Sequence, residues 1–196
     1  TKLIFNMTSG ETGTGDIHGI FQDCSSLKTI DISNWNVVAT SRTHFANLFY
    51  GSTNLVSVKL GNLKYVETLS SGMFLNGMFR NCSSLTDIDF GGLKVDIGIP
   101  VTATYMFCNA SSIKTIDMSS VFTGSTYTTN IVNMFSGCTS LESVNLGKLA
   151  ITPNSLNTTN AFTGCTNLKT IVLPYVTDLV TADNTKASWS ITLPTS

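Results

Sequence analysis

Phenylalanine recurs along this 196-residue chain at Phe21, Phe49, Phe79, Phe107, Phe135 and Phe162, at intervals of 28, 30, 28, 28 and 27 residues. A near-fixed period of this length leaves few folds open, because one such unit cannot bury its own apolar side and must stack on its neighbours. Each Phe opens the same phrase. Three residues on stands a small residue (Cys24, Ser52, Cys82, Ala110, Cys138, Cys165), and six on an aliphatic one (Leu27, Leu55, Leu85, Ile113, Leu141, Leu168). Nine on come Ile30, Val58, Ile88, Ile116, Val144 and Ile171, and eleven on Ile32, Leu60, Phe90, Met118, Leu146 and Leu173. The last two columns are two residues apart, so they share the inner face of a short strand while the residue between them points outward.

The pattern predicts an α/β solenoid, a right-handed superhelix with one short parallel strand per coil of about 28 residues, mostly β and loop. The Phe column followed by a small residue predicts short helical turns or tight bends on the wall opposite the strands. Trp35 falls on a further apolar column with Leu63, Leu93 and Leu149 and is expected to be buried. Segments 96–104 and 120–131 break the rhythm, are rich in Thr, Gly and Ser, and are expected to be loop. One domain over 1–196 follows, with six full repeats and partial repeats or caps at 1–19 and 177–196. In the last of these, Trp189, Ile191 and Leu193 alternate with Ser188, Ser190 and Thr192 as in one more strand. The competing architecture is a right-handed parallel β-helix. The 28-residue period and the single Leu-x-x-Leu-x-Leu strand per coil weigh against it, since β-helices usually carry several strands per turn.

The phrases Met134-Phe135-Ser136-Gly137-Cys138-Thr139-Ser140-Leu141, Met78-Phe79-Arg80-Asn81-Cys82-Ser83-Ser84-Leu85 and Ala161-Phe162-Thr163-Gly164-Cys165-Thr166-Asn167-Leu168 resemble the BspA-like leucine-rich repeat of bacterial surface proteins. The resemblance covers nearly the whole chain. It implies a leucine-rich-repeat solenoid, an exported and often surface-attached protein, and binding of host or matrix proteins.

Composition excludes several function classes. Eleven basic and twelve acidic residues leave a formal net charge of -1, which offers no field to a phosphate backbone or an anionic bilayer. Charged residues make up 12% of the chain while Ser and Thr make up about a quarter, so its polar surface is hydroxyl and amide. Nucleic acid is not an expected partner, and no apolar run reaches the roughly 18 residues that membrane insertion requires. The first residues lack the features of a secretory leader, so an extracellular or cell-surface location requires that the leader was removed ahead of this numbering.

Cys24, Cys82, Cys138 and Cys165 share one inward column that Ser52 and Ala110 interrupt, which is the behaviour of small buried hydrophobes serving volume, and Cys108 lies off the column. His18 and His44 stand at no metal or triad spacing, so no metal site, cofactor or catalytic group is expected and the chain reads as a non-enzyme. Gly10 to Asp16 is glycine-rich but lacks the Lys-Ser/Thr ending of a phosphate cradle and reads as a wall loop. Sequons at Asn6, Asn81, Asn109 and Asn157 fit chance in so Ser- and Thr-rich a chain.

The expected ligand-binding residues are two outward columns on the concave face of the strands. They comprise Thr29, Ser57, Asp87, Thr115 and Ser143 in one, and Asp31, Lys59, Asp89, Asp117 and Asn145 in the other. The acids of the second column invite a calcium reading, but the interruption by Lys59 and Asn145 favours a solvated face. Tyr50, Tyr65, Tyr105 and Tyr127 fall outside the phrase and are candidate anchors along an edge. The function expected is a binding or adhesion module, monomeric, for a protein or glycan on a host or matrix surface. The alternatives are a structural spacer of a larger surface protein and a carbohydrate-directing domain of an exported enzyme.

Overall fold

The computed structural model describes residues 2–4, 13–14, 17–39, 45–65, 73–95, 101–122, 128–147, 149 and 159–172. Within them the phrases stack coil on coil. Lys2–Ile4, Thr29–Asp31, Ser57–Lys59 and Asp87–Asp89 pair in parallel, with Leu3, Ile30, Val58 and Ile88 in register. Thr115–Asp117, Ser143–Asn145 and Thr170–Val172 take the same repeat position in a second parallel sheet, with Ile116, Val144 and Ile171 in register. The solenoid expected from the period is therefore the fold.

Between Asp87–Asp89 and Thr115–Asp117 the front ladder is not hydrogen-bonded. Pairing there in the register used elsewhere would set Asp89 directly against Asp117, and like charges in that position oppose a ladder. Ile88 is accordingly half-buried, whereas Val58 one coil earlier is fully buried.

Two further parallel ladders close the coils. One joins Gly13–Thr14, Asn36–Ala39 and Asn62–Tyr65, and further along the array Val95 and Phe122 form an isolated parallel bridge. The other joins Met73–Phe74, Val101–Thr102 and Thr128–Asn130. A coil thus carries up to three short strands where the sequence led us to expect one. Parts of 96–104 and 120–131, expected to be loop, are strand. Such strands of two to four residues are made by backbone pairing and have no room to display alternation. Gly13 and Thr14, in the expected wall loop, are strand as well. The cap expected at 177–196 lies outside the described residues.

No helix forms among the described residues, and none is long and apolar enough to cross a membrane. Of the short helical turns or tight bends expected on the opposite wall, the structure has the bends. Two residues before each Phe of the spine the backbone is left-handed, at Gly19, Asn47, Gly77, Tyr105, Asn133 and Asn160, and two residues after it again, at Asp23, Gly51, Asn81, Asn109, Gly137 and Gly164. A left-handed residue at every fourth position stops a right-handed helix from propagating. It also aims alternate N–H groups at the next coil: Phe49 N–H donates to Met78 O at 2.9 Å and Gly51 N–H to Arg80 O at 2.9 Å, while Tyr50 N–H closes the turn on Asn47 O at 3.0 Å. Gly, Asn and Asp admit this geometry at low cost, and they fill eleven of these twelve positions.

The core is a column of rings. Phe21, Phe49, Phe79, Phe107, Phe135 and Phe162 stack face to face with centroids 5.2 to 5.5 Å apart and planes within 3 to 11°. The described members of the aliphatic columns line the same interior, with Ile88, Leu168 and Ile171 partly buried against it, and Trp35, Leu63, Leu93 and Leu149 are buried there too.

Candidate binding surface

The small-residue column does more than fill volume. Cys82 Sγ donates to Phe49 O at 3.1 Å, Cys138 Sγ to Phe107 O at 3.0 Å and Cys165 Sγ to Phe135 O at 3.0 Å. Ser52 repeats the contact one coil earlier, its Oγ donating to Phe21 O at 2.7 Å and accepting from Cys24 N–H at 3.2 Å. Ser52 therefore stands in for Cys by chemistry as well as size, and Ala110 is the position without a donor. Ser52→Ala is expected to cost about 1–3 kcal/mol because it orphans a buried carbonyl and a backbone N–H, while Ser52→Cys should stay within about 1 kcal/mol of the parent. Urea denaturation checks this, and equal midpoints for the alanine variant and the parent would reduce the column to packing.

Burial governs these thiols. It pushes Cys82 from 9.0 up to about 12, against a lowering hydrogen bond from the Ser52 backbone, and pushes Cys165 up to about 11. Cys138 rises as well, through burial first and then the neighbouring Cys165. A raised thiol pKa favours the neutral form in the fold, so this contribution is whole below pH 9 and is lost as pH climbs from 9 toward the folded values. For Cys82 alone the loss is about 1.4 kcal/mol per pH unit in that window. Stability measured between pH 8 and about 11 should fall, and should fall less steeply in Cys82→Ser, since a hydroxyl does not titrate there.

The outward columns form as expected: Thr29, Ser57 and Asp87 lie in register, as do Asp31, Lys59 and Asp89, then Thr115 with Ser143, and Asp117 with Asn145. Much of the second column is committed to the fold. Asp31 accepts from Ser33 N–H at 3.1 Å and Oγ–H at 2.6 Å, Asp89 from Gly91 N–H at 2.9 Å, Asp117 from Ser119 N–H at 2.8 Å and Asn145 from Gly147 N–H at 3.0 Å. Each caps the turn that ends its strand. The Ser119 hydroxyl and then its N–H hold the Asp117 carboxyl below the usual range. Lys59, Asp87 and Thr115 remain exposed, and Thr29, Ser57 and Ser143 are half-buried. Beside this face Lys169 pairs with Glu142 at 2.9 Å, which lowers the Glu142 carboxyl by hydrogen bond and charge. No three His, Cys, Asp or Glu side chains converge on a metal position among the described residues.

A second cluster sits on the turn wall. The residue following each Phe forms a column running Gln22, Tyr50, Arg80, Cys108, Ser136 and Thr163. The Arg80 guanidinium carbon lies 5.6 Å from the Tyr50 ring centroid and 4.6 Å from that of Tyr105. Sequence reasoning named both tyrosines as candidate anchors but passed over Arg80; its signal was the position it shares with Tyr50, one repeat apart. Of the other tyrosines, the Tyr65 side chain and Tyr127 lie outside the described residues. Of the sequons, Asn109 Nδ2 donates to Asn81 Oδ1 at 3.0 Å, so both amides are engaged in stacking, and Asn6 and Asn157 lie outside the described residues.

A family profile described as the BspA type leucine rich repeat region (6 copies) matches over residues 18–129 and 46–179. Neither the curated proteins nor the solved structures yield a match.

Proposed function

Since this chain belongs to the BspA-type leucine-rich repeat family, we propose that it is a non-catalytic binding module of an exported, surface-associated protein, engaging a protein partner with its exposed walls. The family is typically one of surface modules without catalytic activity. What supports the reading most is where the reactive groups go. The thiols of Cys82, Cys138 and Cys165 are sunk in the core against backbone carbonyls, and four side chains of the second outward column cap turns, so these groups serve the fold rather than a reaction. Stacking also multiplies one polar outer face along the array, which suits a broad contact made of many weak ones.

Beads carrying the chain test this against cells or immobilised matrix protein, with beads carrying an inert solenoid of equal length as reference. Adhesion above the reference is expected, and equal adhesion would leave the chain a spacer. Specific retention of saccharides on a glycan array would move the partner from protein to glycan.

A further inference from the structure

We propose that Tyr50, Arg80 and Tyr105 form a receptor for a carboxylate, the side chain of an Asp or Glu on a protein partner. The inference rests on the binding-module reading and adds the chemistry that the partner brings.

Two observations carry it independently. The first is the state of Arg80. A guanidinium offers five N–H donors in a flat fork that matches a carboxylate, and in proteins it is ordinarily paired. Here none of the five meets an acceptor among the described residues, the ion pair among those residues is Lys169 with Glu142, and Arg80 Nε is buried without a partner. Arg80 as a whole is half-buried, and of its nitrogens Nε is the one sealed without a partner. The rings of Tyr50, one coil before, and Tyr105, one coil after, hold the group between them. This fixes the fork in advance of any ligand.

The second is the backbone at Tyr105. Its φ is 58°, at a position where the other coils place Gly19, Asn47, Gly77, Asn133 and Asn160. A bulky residue is an outlier in that region, and strain of this kind gathers at functional sites. What the strain achieves is visible: an exposed aromatic ring set over the guanidinium.

The occupant follows from the shape. The ring faces turned toward Arg80 are taken by it, which removes them as a platform for a sugar, while the open edge of the fork accepts a planar anion. Tyr and Arg are also the residues that anchor protein interfaces.

The test uses the intact chain, immobilised and probed with synthetic 12-residue peptides that carry one Glu or Asp among randomised neutral residues, beside the same peptides with Gln or Asn. Retained peptides should be the acidic ones, with binding at least tenfold weaker for Arg80→Gln and also weaker for Arg80→Lys, which keeps the charge and loses the fork. Tyr105→Asn should weaken binding at least tenfold while its melting temperature stays at or above the parent's, a combination that a purely structural tyrosine would not give. Peptides held equally by the parent and Arg80→Gln, no preference for acidic peptides, or tighter Arg80-dependent retention of inorganic phosphate or an acidic sugar would each overturn the proposal. Retention that ignores Arg80 sinks this site alone, whereas failure of the chain to adhere to any protein surface removes the binding-module reading with it.

Discussion

Phe107→Ala is expected to lower stability by about 3–5 kcal/mol and to split unfolding into two steps. Phe107 is fully buried, stacked on Phe79 at 5.3 Å and Phe135 at 5.5 Å, with Phe90 set edge-on at 6.4 Å. Truncation removes the burial of a large ring, leaves a cavity, and deletes aromatic pairs each worth about 0.5–1.5 kcal/mol beyond area. Against a total stability of about 5–15 kcal/mol for a domain, that is a large share.

The location adds the second effect. In a stacked array coils communicate only with their neighbours, so cooperativity depends on each boundary. The boundary between the coils of Phe79 and Phe107 lacks front-ladder pairing, and its connection rests on the ring stack, the turn-wall bonds, the two-residue ladder of Met73–Phe74 with Val101–Thr102 and the Val95–Phe122 bridge. Phe49→Ala is the control. It removes a ring stacked at 5.4 Å on both sides, at coils whose front strands are paired, and should cost a similar amount while unfolding in one step. Chemical denaturation followed by near-ultraviolet dichroism, with limited proteolysis at intermediate denaturant, separates the cases. A loss below about 1 kcal/mol for Phe107→Ala, or identical single transitions for both variants, would refute the account of the weak boundary.

What the sequence made legible, and what it hid, divides along one line. The Phe, Leu and Ile columns were readable because burial requires the same side chain at the same phase of every coil, and a period of about 28 residues exposes that requirement. Features made by the backbone were not. A small residue three positions after Phe, as Ser52 after Phe49, suits a helical turn and a tight bend alike, and only the φ angles of residues such as Asn47 and Gly51 separate the two. Val101–Thr102 and Thr128–Asn130 join coils through N–H and C=O groups; their β-branched Val and Thr suit strands, but runs of two and three residues are too short to show a pattern. The outward acids were legible as a column but not as turn caps, because Asp31 and Asp89 look alike whether they face solvent or the N–H two residues on. Arg80 was hidden for the opposite reason: it breaks a column rather than repeating it.

The closeness of the coils yields the other large effect, Gly91→Ala, expected at about 2–4 kcal/mol. Gly91 combines two demands. Its φ is 54°, which costs an L-residue about 1–2 kcal/mol. Its missing Cβ would also stand 1.9 Å from Leu60 O and 2.8 Å from the carbon that bears it. These are backbone atoms of the preceding coil, held by the bond from Leu60 N–H to Asp89 O at 2.8 Å, so they cannot swing aside as a side chain would. Relief requires the two coils to part, which loosens that bond and the one from Gly92 N–H to Gly61 O at 3.1 Å. Gly164→Ala isolates the first demand: its φ is 79°, but an added Cβ meets nothing nearer than Gly137 at 3.4 Å. It should therefore cost about 1–2 kcal/mol, the strain alone. The excess of Gly91→Ala over Gly164→Ala, read from paired thermal melts, measures how firmly one coil is seated on the next. Equal losses would mean that the coils separate freely at that point and that backbone contact there adds nothing to the array.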